Sequence, residues 1–186
     1  MKIGITGSLS SGKSTVAKIL SNNKRILFSA DDIVQELYRS KLFKNKIKNK
    51  FRISGSNLKQ EVKEKIMQRK IKIKSLGKLI HPIVRKSMRN FYLRNRKRKI
   101  LFFEIPLLIE SNLMSFFDYI ILVVAPKSQR FKRYVKNGGN AKMFNILDKS
   151  QMPPNKKIKH CDYLIVNKGS KSLLKKKVND IVRKYK

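Results

Sequence analysis

The chain has 186 residues, with 46 Lys plus Arg against 11 Asp plus Glu and a formal net charge of +35. That length fits one domain with a sizeable core, and no apolar run of about 18 residues is present to span a bilayer. The single cysteine, Cys161, excludes an internal disulfide; it fits a reducing cytoplasm and reads as a small buried hydrophobe. The N-terminus enters a strand without the charged, apolar and cleavage regions of a signal peptide.

Residues 2–6 (Lys-Ile-Gly-Ile-Thr) read as a short buried strand. Gly7-Ser8-Leu9-Ser10-Ser11-Gly12-Lys13-Ser14 follows, with Thr15 next, and fits G-x-x-x-x-G-K-[ST]. Val16, Ile19 and Leu20 then fall at helical spacing. Strand, loop and helix in this order form an anion nest: loop N–H groups turn inward and the helix presents its positive end. Lys13 is expected to reach the β- and γ-phosphates of ATP, and the Ser14 hydroxyl to bind Mg²⁺.

Four further apolar runs read as strands: 25–28, 99–103, 119–124 and 163–166. Near-continuous apolar runs separated by helical stretches predict an α/β fold, a five-stranded parallel sheet covered on both faces. Ligands then bind at the carboxyl ends of the strands. There the sequence places Ser29-Ala30-Asp31-Asp32, Glu104-Ile105-Pro106-Leu107-Leu108, Ala125-Pro126 and Asn167-Lys168-Gly169-Ser170. In a chain so poor in acids, Asp31 and Glu104 at strand ends point to chemistry, although Asp31 or Ser29 also suits a helix N-cap.

The stretch between the second and third strands reads as helical throughout. Leu58, Val62 and Ile66 mark an amphipathic helix over 56–67, and a second runs over 76–94, interrupted by Pro82. Such an insertion forms a lid or a second-substrate pocket, and it carries His81. Residues 127–151, with Gln129, Lys132, Arg133, Lys136 and Gly138-Gly139, suit a mobile basic cover over phosphates or an ordinary solvated helix and loop. The last helix runs from Ser170, its N-cap, to Tyr185, with Leu174, Val178, Ile181 and Tyr185 as its buried stripe.

The charge has two readings. Clustered bases bind nucleic acid, but here they are spread over the whole chain, dense at 44–50, 94–99, 156–159 and 175–177, with no interleaved aromatic stripe. Lys exceeds Arg, and Asn and Ile are abundant, which fits a coding bias. No specific nucleic-acid partner is expected, although polyanionic small molecules will be attracted.

Several segments together resemble the dephospho-CoA kinase family along essentially the whole chain. They are Ile-Gly-Ile-Thr-Gly at 3–7 with Ser-Gly-Lys-Ser-Thr at 11–15, Ala30-Asp31, Leu79–Val84 around His81-Pro82, and Glu104–Glu110 around Pro106-Leu107-Leu108. Gln151-Met152-Pro153 and Asp162–Gly169 complete the set. The resemblance implies a P-loop kinase-type three-layer sandwich with a core of 1–40 and 99–186, a helical substrate-binding insertion at 41–98 and a lid at 127–150. It implies transfer of the ATP γ-phosphate to the ribose 3′-hydroxyl of dephospho-CoA. Asp31 then orients or deprotonates that hydroxyl. His81, Glu104, Pro106 and Leu107 lie on the substrate side, with Glu104 also suited to hold Mg²⁺ or water. Asn167 and Lys168 lie near the adenine.

The chain departs from the family's pattern in places. Ser29 replaces the first Asp of Asp-Ala-Asp, Ser8 and Ser10 stand where the family prefers glycine, and the usual lid arginines are Lys132 and Lys136. The arginine four residues before Gln-Met-Pro is Leu147. Lysine lacks the planar fork of arginine, so a slow kinase is expected, or one served by Arg130 or Arg133. Alternatives are a P-loop kinase for another nucleoside or small alcohol, a nucleotide-dependent nucleic-acid-binding protein, or a decayed pseudoenzyme. Oligomeric state is not legible.

Overall fold

The computed structural model describes residues 1–22 and 27–183, with side chains through Ile181. Strands β1 (Lys2–Gly7), β2 (Leu27–Ser29), β3 (Leu101–Glu104), β4 (Tyr119–Val124) and β5 (Tyr163–Val166) form one parallel sheet in the order β2-β3-β1-β4-β5. The predicted five-stranded parallel sheet is therefore present. Of the second run, Arg25 and Ile26 lie outside the described residues. The third strand begins two residues later than its apolar run and ends on Glu104 itself.

Parallel pairing demands a crossover between neighbouring strands. Helix α1 (Lys13–Ser21) follows β1, and α9 (Lys171–Arg183) follows β5. Their apolar faces meet one side of the sheet in a core of Ile3, Ile5, Val16, Ala17, Ile121, Val123, Leu174 and Val178, all nearly inaccessible. Ser170 caps α9, accepting the Leu173 N–H at 3.2 Å; Tyr185 of the predicted stripe lies outside the described residues. On the other side of the sheet, Phe103 stacks edge-on against Phe116 and Phe117 at 5.6 and 5.4 Å. Gly4 is opposite Leu108 there, and a Cβ on it would come within 2.6 Å of the leucine.

Contacts divide the chain into two compact units, Met1–Ser29 with Tyr92–Lys186, and Ala30–Phe91. The second unit contains α2 (Ala30–Leu37), α3 (Lys41–Phe51), α4 (Leu58–Met67) and most of α5 (Ile73–Asn95). Leu58, Val62 and Ile66, four residues apart, are all buried, as are Phe43 and Ile47. Asn57 caps α4 by accepting the Gln60 N–H at 3.2 Å. The expected interruption at Pro82 does not occur: α5 is one continuous helix with Pro82 inside it. The proline lacks an N–H for the preceding turn. It lies on the exposed side of the helix, where water can take the freed carbonyl and solvent-facing hydrogen bonds are already long.

In the first unit, α6 (Lys127–Lys136) and α7 (Ala141–Ser150) form a helical hairpin turned at Gly138, and a short helix α8 (Pro154–Ile158) precedes β5. No described helix is long and apolar enough to cross a membrane.

Candidate active site

The loop between β1 and α1 takes its shape from two glycines. Gly12 has φ +97°, and a Cβ on it would stand 2.3 Å from Asn167 Nδ2. Gly7 has φ +153°, with the Val123 carbonyl oxygen 2.2 Å from where its Cβ would be. A side chain at either position meets a wall as well as strained backbone. Ser10 also adopts a left-handed conformation, φ +56°; a non-glycine there costs roughly 1–2 kcal/mol.

Lys13 opens α1, is 7% exposed, and its Nζ lies 3.4 Å from the Ser8 carbonyl oxygen inside the loop. The Ser14 hydroxyl donates to Glu104 Oε1 at 2.5 Å. Glu104 is 3% exposed at the carboxyl end of β3, in register with Ile5 of β1 and Ser29 of β2. A buried carboxylate needs polar partners, and the Ser14 hydroxyl is one of them. The Ser11 hydroxyl is buried within the loop and has no hydrogen-bond partner among the described residues.

Residues distant in sequence hold the loop's carbonyls and N–H groups. Asn167, after β5, donates from Nδ2 to the Ser11 carbonyl at 2.8 Å. Arg133 reaches the Ser11 carbonyl at 3.4 Å and the Asn167 carbonyl at 3.2 Å, while Gln129 donates to the Lys168 carbonyl at 3.2 Å. Arg130 is 5% exposed; it bonds Asp148 Oδ1 on α7 at 2.5 Å and the Ala125 and Leu9 carbonyls at 3.2 and 3.4 Å. Lys132 and Lys136, on the same helix, are exposed. The two arginines, rather than the two lysines, thus face the loop. An open cleft of about 1250 Å³ adjoins it, lined among others by Gly12, Thr15, Arg133, Asn167 and Gly169.

The strand-end segment after β3 also meets the loop. Thr6 donates its hydroxyl to the Pro106 carbonyl at 3.0 Å, and the half-buried Leu107 begins a turn closed by Ser111 N–H. Gln151, part of the Gln-Met-Pro motif, accepts the Leu9 N–H on Oε1 at 2.9 Å. The first unit therefore brings together residues 7–15, Glu104, Pro106, Arg133 and Asn167.

Asp31 and His81 belong to the helical unit. Asp31 is exposed in the first turn of α2, two residues after the Ser29 that faces Glu104 across the sheet. His81 is half-buried in α5 and packs over Gly77 one turn earlier, where an added Cβ would be 3.1 Å from Nε2. Burial, and then the Arg85 guanidinium, push the His81 pKa below 6.5, which favours the neutral imidazole. Within the same unit, a cleft of about 390 Å³ is lined by Tyr38, Arg39, Lys44 and Lys59 among others.

No group of three or more His, Cys, Asp or Glu among the described residues could enclose a metal. Ser14 and Glu104 nonetheless form a hard-oxygen pair of the kind used for Mg²⁺, which takes one or two protein ligands and shares the rest with phosphates and water.

A parallel sheet, a glycine-flanked loop closed by a buried lysine, and arginines turned to that loop define a P-loop kinase. The dephospho-CoA kinase family model matches residues 1–172; the chain belongs to that family. A dephospho-CoA kinase of Fusobacterium nucleatum is 33% identical over 96% of this chain and 95% of its own. A crystallised Thermus thermophilus protein superposes with TM-score 0.76 at 26% identity, covering 100% of this chain and 98% of the other. The Campylobacter jejuni dephospho-CoA kinase shares the fold, with TM-score 0.59 at 22% identity over 98% of this chain and 96% of its own. The family match and the Fusobacterium relative favour the kinase reading over a nucleic-acid-binding protein.

Proposed function

We propose that the protein transfers the γ-phosphoryl group of ATP to the ribose 3′-hydroxyl of dephospho-CoA, giving CoA and ADP, the last step of coenzyme A synthesis. The observation that carries this reading is the family match over residues 1–172, on a chain whose phosphate loop is intact.

In this reading the N–H groups of residues 7–15 and the Lys13 ammonium hold the ATP phosphates, and Asn167 and Lys168 lie beside the adenine. Ser14, with Glu104 adjoining, would hold Mg²⁺, which would supply positive charge against that of the phosphates. Asp31 orients the 3′-hydroxyl and accepts its proton. The hydroxyl oxygen forms the new P–O bond as the bond from the γ-phosphorus to the β–γ bridging oxygen breaks, and that oxygen leaves on ADP. Positioning and charge neutralisation do most of the work in such transfers.

His81 of the helical insertion, 41–98, has an acceptor-binding role in this reading, and so, in the first unit, do Glu104, Pro106 and Leu107. The cations Arg39, Lys44 and Lys59 around one cleft of the helical unit suit the acceptor's diphosphate. The segment 127–150 acts as the lid, with Arg133 the cation turned to the loop and Lys132 and Lys136 on its exposed face. A free thiol at Cys161, as expected in a reducing compartment, supports a cytoplasmic setting.

The test is an ADP-release assay with ATP and Mg²⁺ over a panel of acceptors: dephospho-CoA, nucleosides and small alcohols. Turnover confined to dephospho-CoA supports the reading, and preference for another acceptor overturns it.

A further inference from the structure

Lys157 is completely buried, 0% exposed, in a chain whose other lysines mostly coat the surface. Burying an ammonium costs several kcal/mol before pairing, so its placement calls for a physical account. It sits on α8, outside the phosphate cradle, and its Nζ makes two polar contacts among the described residues. One is to Glu110 Oε1 at 2.8 Å and the other is to the Pro106 carbonyl at 3.4 Å.

Each contact leads to the loop. Glu110 Oε1 also accepts the Met152 N–H at 3.0 Å, and the adjoining Gln151 accepts the Leu9 N–H at 2.9 Å. The Pro106 carbonyl also accepts the hydroxyl of Thr6, the last residue before Gly7, at 3.0 Å. One ammonium therefore ties down the crest of the loop at Leu9 and its foot at Thr6. Glu110 Oε2 is buried with no hydrogen-bond partner among the described residues, so the carboxylate's bonds there run through Oε1, with Lys157 beside it for charge balance. Loop amides can cradle phosphate without reorganising only if the loop is already held in shape.

The geometry points to Lys157 and Glu110 as a positioning pair that, through Gln151, holds the phosphate loop in its ATP-receiving conformation. The pair acts on the loop through other residues. This inference rests on reading residues 7–14 as the ATP loop and is independent of the acceptor.

The test measures equilibrium binding of a fluorescent ATP analogue with Mg²⁺, without acceptor, beside the melting temperature. Lys157→Met and Gln151→Ala should each weaken binding about tenfold, the loss of one well-made hydrogen bond. Lys157→Arg, which keeps the charge, should recover part of it. Lys157→Met should also lower the melting temperature, because it strands the Glu110 carboxylate. Gln151→Ala should lower it little, and it remains informative if Lys157→Met does not fold. Native-like ATP affinity in Gln151→Ala overturns the inference. So does weakening that Lys157→Arg fails to relieve. Absence of turnover with dephospho-CoA would count against the proposed reaction and leave this binding test in force.

Discussion

The Ser14 hydroxyl and the Glu104 carboxylate, 90 residues apart in sequence, lie 2.5 Å from each other. The contact exists because β3 pairs with β1 and ends on Glu104, level with the strand that feeds the loop. If this pair holds Mg²⁺ with the ATP phosphates, Glu104→Gln should reduce apparent Mg²⁺ affinity about 10- to 100-fold. Titrating the rate with Mg²⁺ at fixed ATP checks it; an unchanged midpoint would separate Glu104 from the metal.

Arg133, rather than Lys132, faces the loop and Asn167. Arg133→Ala should raise the KM for ATP about tenfold, in line with loss of charge-assisted hydrogen bonds. Lys132→Ala, removing an exposed cation, should change it less than about threefold. Steady-state kinetics of the two variants decide between the two faces of α6; equal effects would mean that Arg133 has no special hold.

Much of this arrangement was legible beforehand. The apolar runs marked all five strands, since parallel strands buried on both faces alternate little, and the four-residue spacing of Leu58, Val62 and Ile66 marked α4. The loop motif foretold where its glycines and Lys13 would fold. Other features were hidden for physical reasons. Pro82 reads as a break because its missing N–H is local information, whereas its exposed placement in α5 is tertiary. The Leu9–Gln151 bond spans 142 residues and has no periodic signature. Lys157 could not be told from dozens of surface lysines until burial singled it out, and the Arg130–Asp148 pair forms only once α6 and α7 fold back on each other.

Ser10 carries a left-handed backbone with a side chain that disfavours it. Ser10→Gly should stabilise the protein by about 1 kcal/mol, the relief of that strain less glycine's greater unfolded-state entropy. Urea denaturation followed by circular dichroism checks this, and a loss of stability would show that the Ser10 side chain contributes more than its strain costs.

His81 makes stability depend on pH with a definite sign. Its folded-state pKa lies below 6.5, chiefly through burial and then through Arg85. The unfolded chain therefore binds the proton more readily, and stability falls as pH drops below 6.5 towards the lower folded value. Above that window His81 is neutral in both states and contributes no slope. Melting temperatures between pH 7.5 and pH 5, conditions chosen to span roughly the histidine range, should fall less steeply in His81→Gln than in the wild type. Parallel curves would remove His81 as the cause.

The central claim is a phosphoryl transfer to one hydroxyl, and direct analysis of the product tests it. Purified protein given γ-labelled ATP, Mg²⁺ and dephospho-CoA should place the label on the ribose 3′-oxygen. Asp31→Asn should cut this about 10²- to 10⁴-fold, the usual worth of a positioned base, with ATP binding nearly intact. Absence of label in CoA, or label at another position, would contradict the account.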